Sequence, residues 1–348
     1  MTVEQARAII NSPFFSAFLD PAADRRACIT ARLAAQGIPY RTVTLQDKTH
    51  IVISYRKSAY DPRFRIKTLL AHYDRAAHTP GANDNSAACV QLLLFAKTLL
   101  QRQDAHNIRI IFTDGEEAGA EGIKNQGSYR LGQGLRALSM QNGDLFVFDL
   151  CGAGDTLILS ESGIYGRDKR KTAALTAFHR RCCGYAEAAC RGRWLSLPTA
   201  YSDNAGLISA GLTAQVITVL PRAEAEFLMR YIPRTADTNR STGAGAHRSD
   251  VRNAKAVEVV SGTQSNAEEA VSAAAGNLSA AQILQHYIIS NGKVPPDSPF
   301  AAIIPQTWQR MHTLQDSLET LTPQAFIIVD TFLRYLATVK KPAYYADV

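Results

Sequence analysis

The chain has 348 residues, 46% of them hydrophobic and 20% charged, with a net charge of +7, which allows one large α/β domain or two smaller ones with a sizeable core. Its basic groups gather over 167–171 and at Arg180, Arg181, Arg191 and Arg193 without interleaved aromatic residues; this argues for a solvated helix face and against a nucleic-acid partner. No stretch approaches the roughly 18 apolar residues of a membrane span, and 1–26 holds an early acid and no apolar run of export-signal length, so the expectation is a cytoplasmic chain with no membrane partner.

In chain order, 2–19 reads as an amphipathic helix and 21–36 as a second, opened by Pro21 and closed by Gly37. Two strands over 40–45 and 50–55 follow as a hairpin across the polar turn Gln46-Asp47-Lys48. Residues 67–72 (KTLLAH) form a short apolar run with polar flanks, the pattern of an interior strand. A loop over 73–82 is broken at Pro80-Gly81. Residues 83–86 (NDNS) then offer caps to a helix over 87–100.

The stretch 109–117, RIIFTDGEE, runs a β-favouring segment into an Asp-Gly turn and two adjacent carboxylates. A helix is expected over 128–140, strands over 144–150 (DLFVFDL) and 157–160, a helix over 172–183 and a strand over 214–220. Strand alternating with helix at this pace predicts a largely parallel sheet covered on both faces. From 222 to 307 the composition changes. Residues 235–276 are rich in Ala, Ser, Thr, Asn and Gly, which predicts a mobile insertion, with a short helix over 280–290. A last helix over 323–339 carries an apolar stripe that should pack on the sheet. The six cysteines include a vicinal pair and no CxxC spacing, so reduced, structural thiols are expected.

Five metal-ligand types occur in order: His72, Asp84, Glu117, Asp149 and His312. His72, Glu117 and Asp149 end three separate apolar strands, Asp84 opens a helix, and His312 precedes the last helix. Singly, each has a structural explanation: a solvated histidine, a helix cap, a strand-end acid. Jointly, imidazole and carboxylate at successive strand ends are what zinc prefers, at the edge where open α/β sheets keep their sites.

The segments LLAHYD, GANDN, FTDGEE, FDL, YSDN and HTLQD, in this order and spacing, resemble the di-zinc aminopeptidase family, which also includes glutaminyl cyclases and the ectodomains of transferrin-receptor-like proteins. The resemblance covers 68–221 and 308–321. It implies an α/β fold, a three-layer αβα sandwich around a mixed, mostly parallel sheet (the phosphorylase/hydrolase-like zinc exopeptidase fold), as one domain over 1–348. The stretch 222–307 has no counterpart in the family pattern, and its composition predicts a partly disordered insertion within that domain. The resemblance also implies two zinc ions per chain. Asp84 would bridge them, His72 and Asp149 would complete one site, and Glu117 and His312 the other. Two zincs bring four positive charges, which three carboxylates and one shared hydroxide would balance. Asp74 would orient His72, Glu116 would be the general base, and the Asp84–Asn85 peptide would be cis. Tyr201 is either a donor to the oxyanion or a packing residue. The implied activity is release of the amino-terminal residue from a peptide with a free amino terminus.

Members of that family often read Ser-Asp-His where this chain has Ser202-Asp203-Asn204, a departure that bears on specificity. Two other functions remain open. One is a glutaminyl-peptide cyclotransferase using a single zinc on Asp84, Glu117 and His312. Such enzymes wall their pocket with indoles, and this chain has only Trp194 and Trp308. The other is a non-catalytic binding module, whose mark would be loss of ligands. Oligomeric state is not legible.

Overall fold

Pro13 has no N–H to continue a helix and its ring crowds the carbonyl four residues back. In the computed structural model, which describes residues 1–164, 168–231 and 304–342, the helix expected over 2–19 is therefore two. Helix α1 (Val3–Ile10) starts at a reciprocal cap between Thr2 and Gln5. Helix α2 (Pro13–Leu19) starts with Pro13 behind the cap Ser12. The next helix, α3 (Arg25–Ala35), begins at the Asp24 cap and not at Pro21.

The hairpin strands are β1 (Tyr40–Leu45) and β2 (Lys48–Ile53), so the turn is only Gln46-Asp47. Then come β3 (Lys67–His72), α4 (Ala87–Leu100), β4 (Ile108–Thr113), α5 (Gly127–Ala137), β5 (Asp144–Phe148) and β6 (Thr156–Ser160). Helix α6 (Lys169–Ala189) runs past the expected 172–183 at both ends, and the Asp168 side chain caps its earlier start. The short β7 (Trp194–Leu197) and α7 (Asp203–Ser209) were not foreseen, since four and seven residues are too few to show a period. Strand β8 (Ala214–Leu220) lies where expected. Helix α8 (Arg222–Tyr231) occupies the start of the stretch read as an insertion. The expectations of mobility over 235–276 and of a helix over 280–290 fall outside the described residues. Helix α9 (Pro323–Thr338) closes the fold, capped by Thr322.

The eight strands form one sheet in the order β1-β2-β4-β3-β5-β8-β6-β7. The central four are mutually parallel, β2 joins β4 antiparallel, and β6 joins β8 antiparallel with β7 parallel beyond it. Side chains alternate faces along each strand. Leu69, Ala71, Ile110, Phe112, Phe146 and Phe148 enter a core with α3, α4, α6 and α9. Leu70, Ile111, Leu145 and Val147 meet α5 and α7 on the other face. Both faces are dry, so these strands read as continuous apolar runs. Phe146 is fully buried, edge-on to Phe178 at 5.4 Å. Phe146→Ala should cost about 3–5 kcal/mol in a denaturant titration; a loss below 1 kcal/mol would contradict this packing.

All six cysteines are unpaired thiols, and Cys89, Cys151, Cys182 and Cys190 are buried, as a structural role requires. The expected solvated basic face needs one correction. Arg181 stacks over Phe178 and donates to Asp144 Oδ1 at 2.9 Å, so it buttresses the start of β5. Among the described residues no helix is long and apolar enough to cross a membrane.

Candidate metal centre

From β3 the chain crosses by α4 to β4 on one side; from β4 it crosses by α5, on the opposite face, to β5 on the other side. This reversal opens a crevice at the carboxyl ends of the three strands. His72 ends β3 directly beside Thr113 at the end of β4, and Asp149 follows the last residue of β5. The turn after β4 is held by Asp114 Oδ2, which accepts the Thr49 N–H at 2.9 Å. A Cβ on Gly127 would sit 1.9 Å from the Asp114 carbonyl oxygen, so only glycine lets α5 start against the turn that presents Glu116 and Glu117.

Asp84 lies buried at the mouth of α4 and is the first residue of a cis peptide: the Asp84–Asn85 bond is cis, as the motif resemblance implied. Its carboxylate faces two ways. Oδ1 is 3.2 Å from His72 Nε2, and Oδ2 is 3.2 Å from His312 Nε2. His72 Nε2 is also 3.6 Å from Asp149 Oδ1, and His312 Nε2 is 3.2 Å from Glu117 Oε2. Two clusters result, His72/Asp84/Asp149 and Asp84/Glu117/His312, each with its donor atoms within 4.8 Å of one another. All five residues singled out in the sequence meet. His72 is fully buried whereas the His312 side chain is 37% exposed, so the crevice opens on the His312 side.

His312 arrives from far along the chain, and the residue that brings it is Asp316. That buried carboxylate accepts the N–H of Asn83 at 2.7 Å and of Asp84 at 3.0 Å, while its carbonyl accepts from Ala82 at 3.1 Å. Three bonds thus lock the turn carrying His312 onto the loop carrying Asp84. Sequence reasoning quoted Asp316 within HTLQD without a role for it. His312 itself has φ +60° and Leu150, next to Asp149, has φ +53°; such left-handed backbone costs about 1–2 kcal/mol outside glycine and persists where the surroundings enforce it.

The other predicted residues are close by. Asp74 Oδ1 faces His72 Nδ1 at 3.5 Å, and its Oδ2 accepts the Glu117 N–H at 3.0 Å. Glu116 Oε1 accepts from Gln126 Nε2 at 3.0 Å, and the side chain approaches His72 and Glu117. Tyr201 is half-buried in the wall of a pocket shared with Asp149, Leu150, Ser202, Trp308 and Met311. The departing motif opens α7: Asp203 is fully buried and accepts from the Thr113 hydroxyl, and Asn204 Oδ1 accepts the Ser202 N–H at 2.8 Å. Trp194 lies elsewhere, donating to Glu187 Oε2 at 2.8 Å.

Burial works against the His72 imidazolium, but Asp149, Asp74 and Asp84 together hold its pKa well above the usual value. Contacts with Asp84 and Glu117 raise that of His312 to about 11. Burial opposes ionisation of Asp84 too, yet the two imidazoles hold its carboxyl far below the ordinary range. Glu116 is pushed well up by burial, with the Glu117, Asp149 and Asp203 carboxylates adding to it. Glu117 is raised by burial and by Asp84. Acids crowded around two imidazoles call for concentrated positive charge, which divalent cations supply.

The donor set fits such ions. His72 Nε2, Asp149 Oδ1 and Glu117 Oε1 are buried without hydrogen-bond partners, a condition that coordination would relieve. Ligand bonds of 2.0–2.1 Å at a tetrahedral angle place neighbouring donors about 3.3 Å apart, close to the 3.2–3.6 Å contacts.

The sequence matches Peptidase family M28 over residues 51–335, well over half of the chain. The chain belongs to peptidase family M28. No curated protein matches its sequence. Among solved structures, this M28 chain is similar to the LapA aminopeptidase of Legionella pneumophila, at 12% identity over 97% of this chain and 69% of that one, with a TM-score of 0.55. It is also similar to the glutaminyl cyclase of Porphyromonas gingivalis, at 17% identity over 95% and 97% of the two chains, with a TM-score of 0.50. At these identities the likeness is one of fold, and it agrees with the three-layer arrangement around a mixed sheet.

Proposed function

We propose that this M28 chain is a zinc-dependent exopeptidase that hydrolyses the amino-terminal residue from peptides. The observation that carries the reading is Asp84, which presents one carboxylate oxygen to each of two ligand clusters. His72 and Asp149 would hold one zinc, Glu117 and His312 the other, with Asp84 common to both. Bound there, the ions supply Lewis acidity and lower the pKa of water. Asp74 orients the His72 ring through Nδ1. Glu116 lies beside His72 of one cluster and Glu117 of the other and accepts from Gln126; as general base it takes a proton from water and returns it to the leaving amine. The open His312 side admits the substrate, whose free ammonium is drawn to the surplus of carboxylates. The pocket beside Asp149 would take its first side chain, and Tyr201, on that wall, is the donor proposed for the developing oxyanion.

One observation favours a second reading. Trp308 is a buried indole lining the same pocket as Asp149 and Tyr201, which would suit cyclisation of amino-terminal glutamine on a single zinc. Metal titration separates the two. Chelation should abolish activity and lower the melting temperature by a few degrees, since a ligand at 100 times its Kd stabilises by about 2.7 kcal/mol. On the exopeptidase reading, hydrolysis of amino-acid amides returns fully only at two zincs per chain. Full activity at one zinc, on glutaminyl peptides and not on amides, would establish the cyclase instead.

A further inference from the structure

Gln126 lies outside every motif read from the sequence, yet it is buried and both ends of its carboxamide are engaged beside the centre. Its Oε1 accepts the Gly206 N–H of α7 at 3.0 Å and lies 3.4 Å from the Ser128 hydroxyl. A backbone N–H can only donate, so this end of the amide must be the oxygen. The opposite end is then the NH2 group, which also can only donate, and it sits 3.0 Å from Glu116 Oε1 and 3.4 Å from the Glu116 carbonyl oxygen. The approach of α7 is built for this. A Cβ on Gly206 would fall 2.3 Å from Ser128 Oγ and 2.6 Å from the Tyr129 nitrogen, so glycine alone permits its N–H to reach Gln126.

We propose that Gln126 is a positioning residue for Glu116: its polarity, set by Gly206, commits Oε1 to accepting a hydrogen bond and leaves Oε2 as the oxygen that exchanges the proton with water and leaving group. The inference rests on Glu116 being the general base. A glutamate in a crevice has three rotatable bonds, and fixing it in a single orientation removes a cost that would otherwise fall on the reaction step. The chain Gly206→Gln126→Glu116 also ties the base to the Ser202-Asp203-Asn204 segment at the start of α7.

Two substitutions test this against a purely structural role. Gln126→Met keeps the length and removes both hydrogen bonds. Gln126→Glu keeps an acceptor for Gly206 and, where the two buried carboxyls share a proton, can still donate to Glu116. The Met variant should lower kcat by about 10- to 100-fold, with KM and zinc content within about twofold of wild type, and the Glu variant should lose kcat increasingly as the pH rises and the shared proton leaves. Amide exchange at Gly206 should quicken in the Met variant and stay slow in the Glu variant. In a Glu116→Gln background the Met substitution should cost less than about twofold more, because it acts through the carboxylate already lost. A Gln126→Met protein with wild-type kcat, or an equal loss in the Glu116→Gln background, would overturn the proposal. Wild type inactive on every amide and peptide substrate with zinc supplied is a different result, and it overturns the exopeptidase reading beneath it.

Discussion

Glu116→Gln is expected to lower kcat by about 10²–10⁴-fold, the range of general acid–base catalysis, or roughly 2.7–5.4 kcal/mol of barrier. The substitution is isosteric and keeps an oxygen able to accept from Gln126, whose Nε2 is 3.0 Å from Glu116 Oε1. Zinc content, KM and melting temperature should therefore change little, and the loss should fall on kcat. Glu117→Gln makes the internal control. Its Oε2 is 3.2 Å from His312 Nε2 in the second cluster, so it should weaken metal binding first and activity as a consequence, with excess zinc recovering part of the loss. If Glu116→Gln stayed within tenfold of wild type, or lost zinc as Glu117→Gln does, the two acids would have to exchange roles.

The second large effect belongs to Asp84. Asp84→Ala removes the one carboxylate common to the His72/Asp84/Asp149 and Asp84/Glu117/His312 clusters, so on the proposed two-zinc reading both ions should bind more weakly together. The decrease should exceed about 100-fold at each, the upper end of what losing even an outer-sphere partner costs. Asp149→Ala and His312→Ala should each spare one ion, because each side chain belongs to a single cluster. The measurement is zinc per chain by metal analysis after dialysis, with the protein's fold checked by circular dichroism. Asp84→Ala retaining one ion at wild-type affinity would show that the carboxylate does not bridge. Asp149→Ala with full activity would point to the one-zinc chemistry that the Trp308 pocket wall also suits.

Much of the sheet could be read before any coordinates. KTLLAH and AQVITVL appear as strands with the expected limits because both of their faces are buried, and a strand dry on both sides is an unbroken apolar run. The ligand types that close β3 and follow β5, His72 and Asp149, were legible for a related reason: an imidazole or carboxylate at the end of an apolar run stands out. Elements without a local signature were missed or misjudged. Four residues of β7 and seven of α7 give no period to detect. Helical spacing across 2–19 concealed a break that Ser12 and Pro13 impose through a cap and a missing N–H. Arg181 has no local sign that sets it apart from the exposed cations around it, because its partners Asp144 and Phe178 meet it only in the fold.

The sequence by itself determined the alternation of strand and helix and the donor chemistry of His72, Asp84, Glu117, Asp149 and His312, since these depend on residue types and on patterns within a few positions; the caps it offered at 83–86 make no side-chain bond to the start of α4. Only the tertiary structure decided that His312 reaches Asp84, because that meeting runs through Asp316 and the backbone of residues 82–84. It also separates two neighbours identical in type: Glu116 meets Gln126, and Glu117 meets His312. Periodicity and capping are written in short-range order, whereas a site assembled across crossovers takes its form from contacts between segments that carry no trace of each other in the chain.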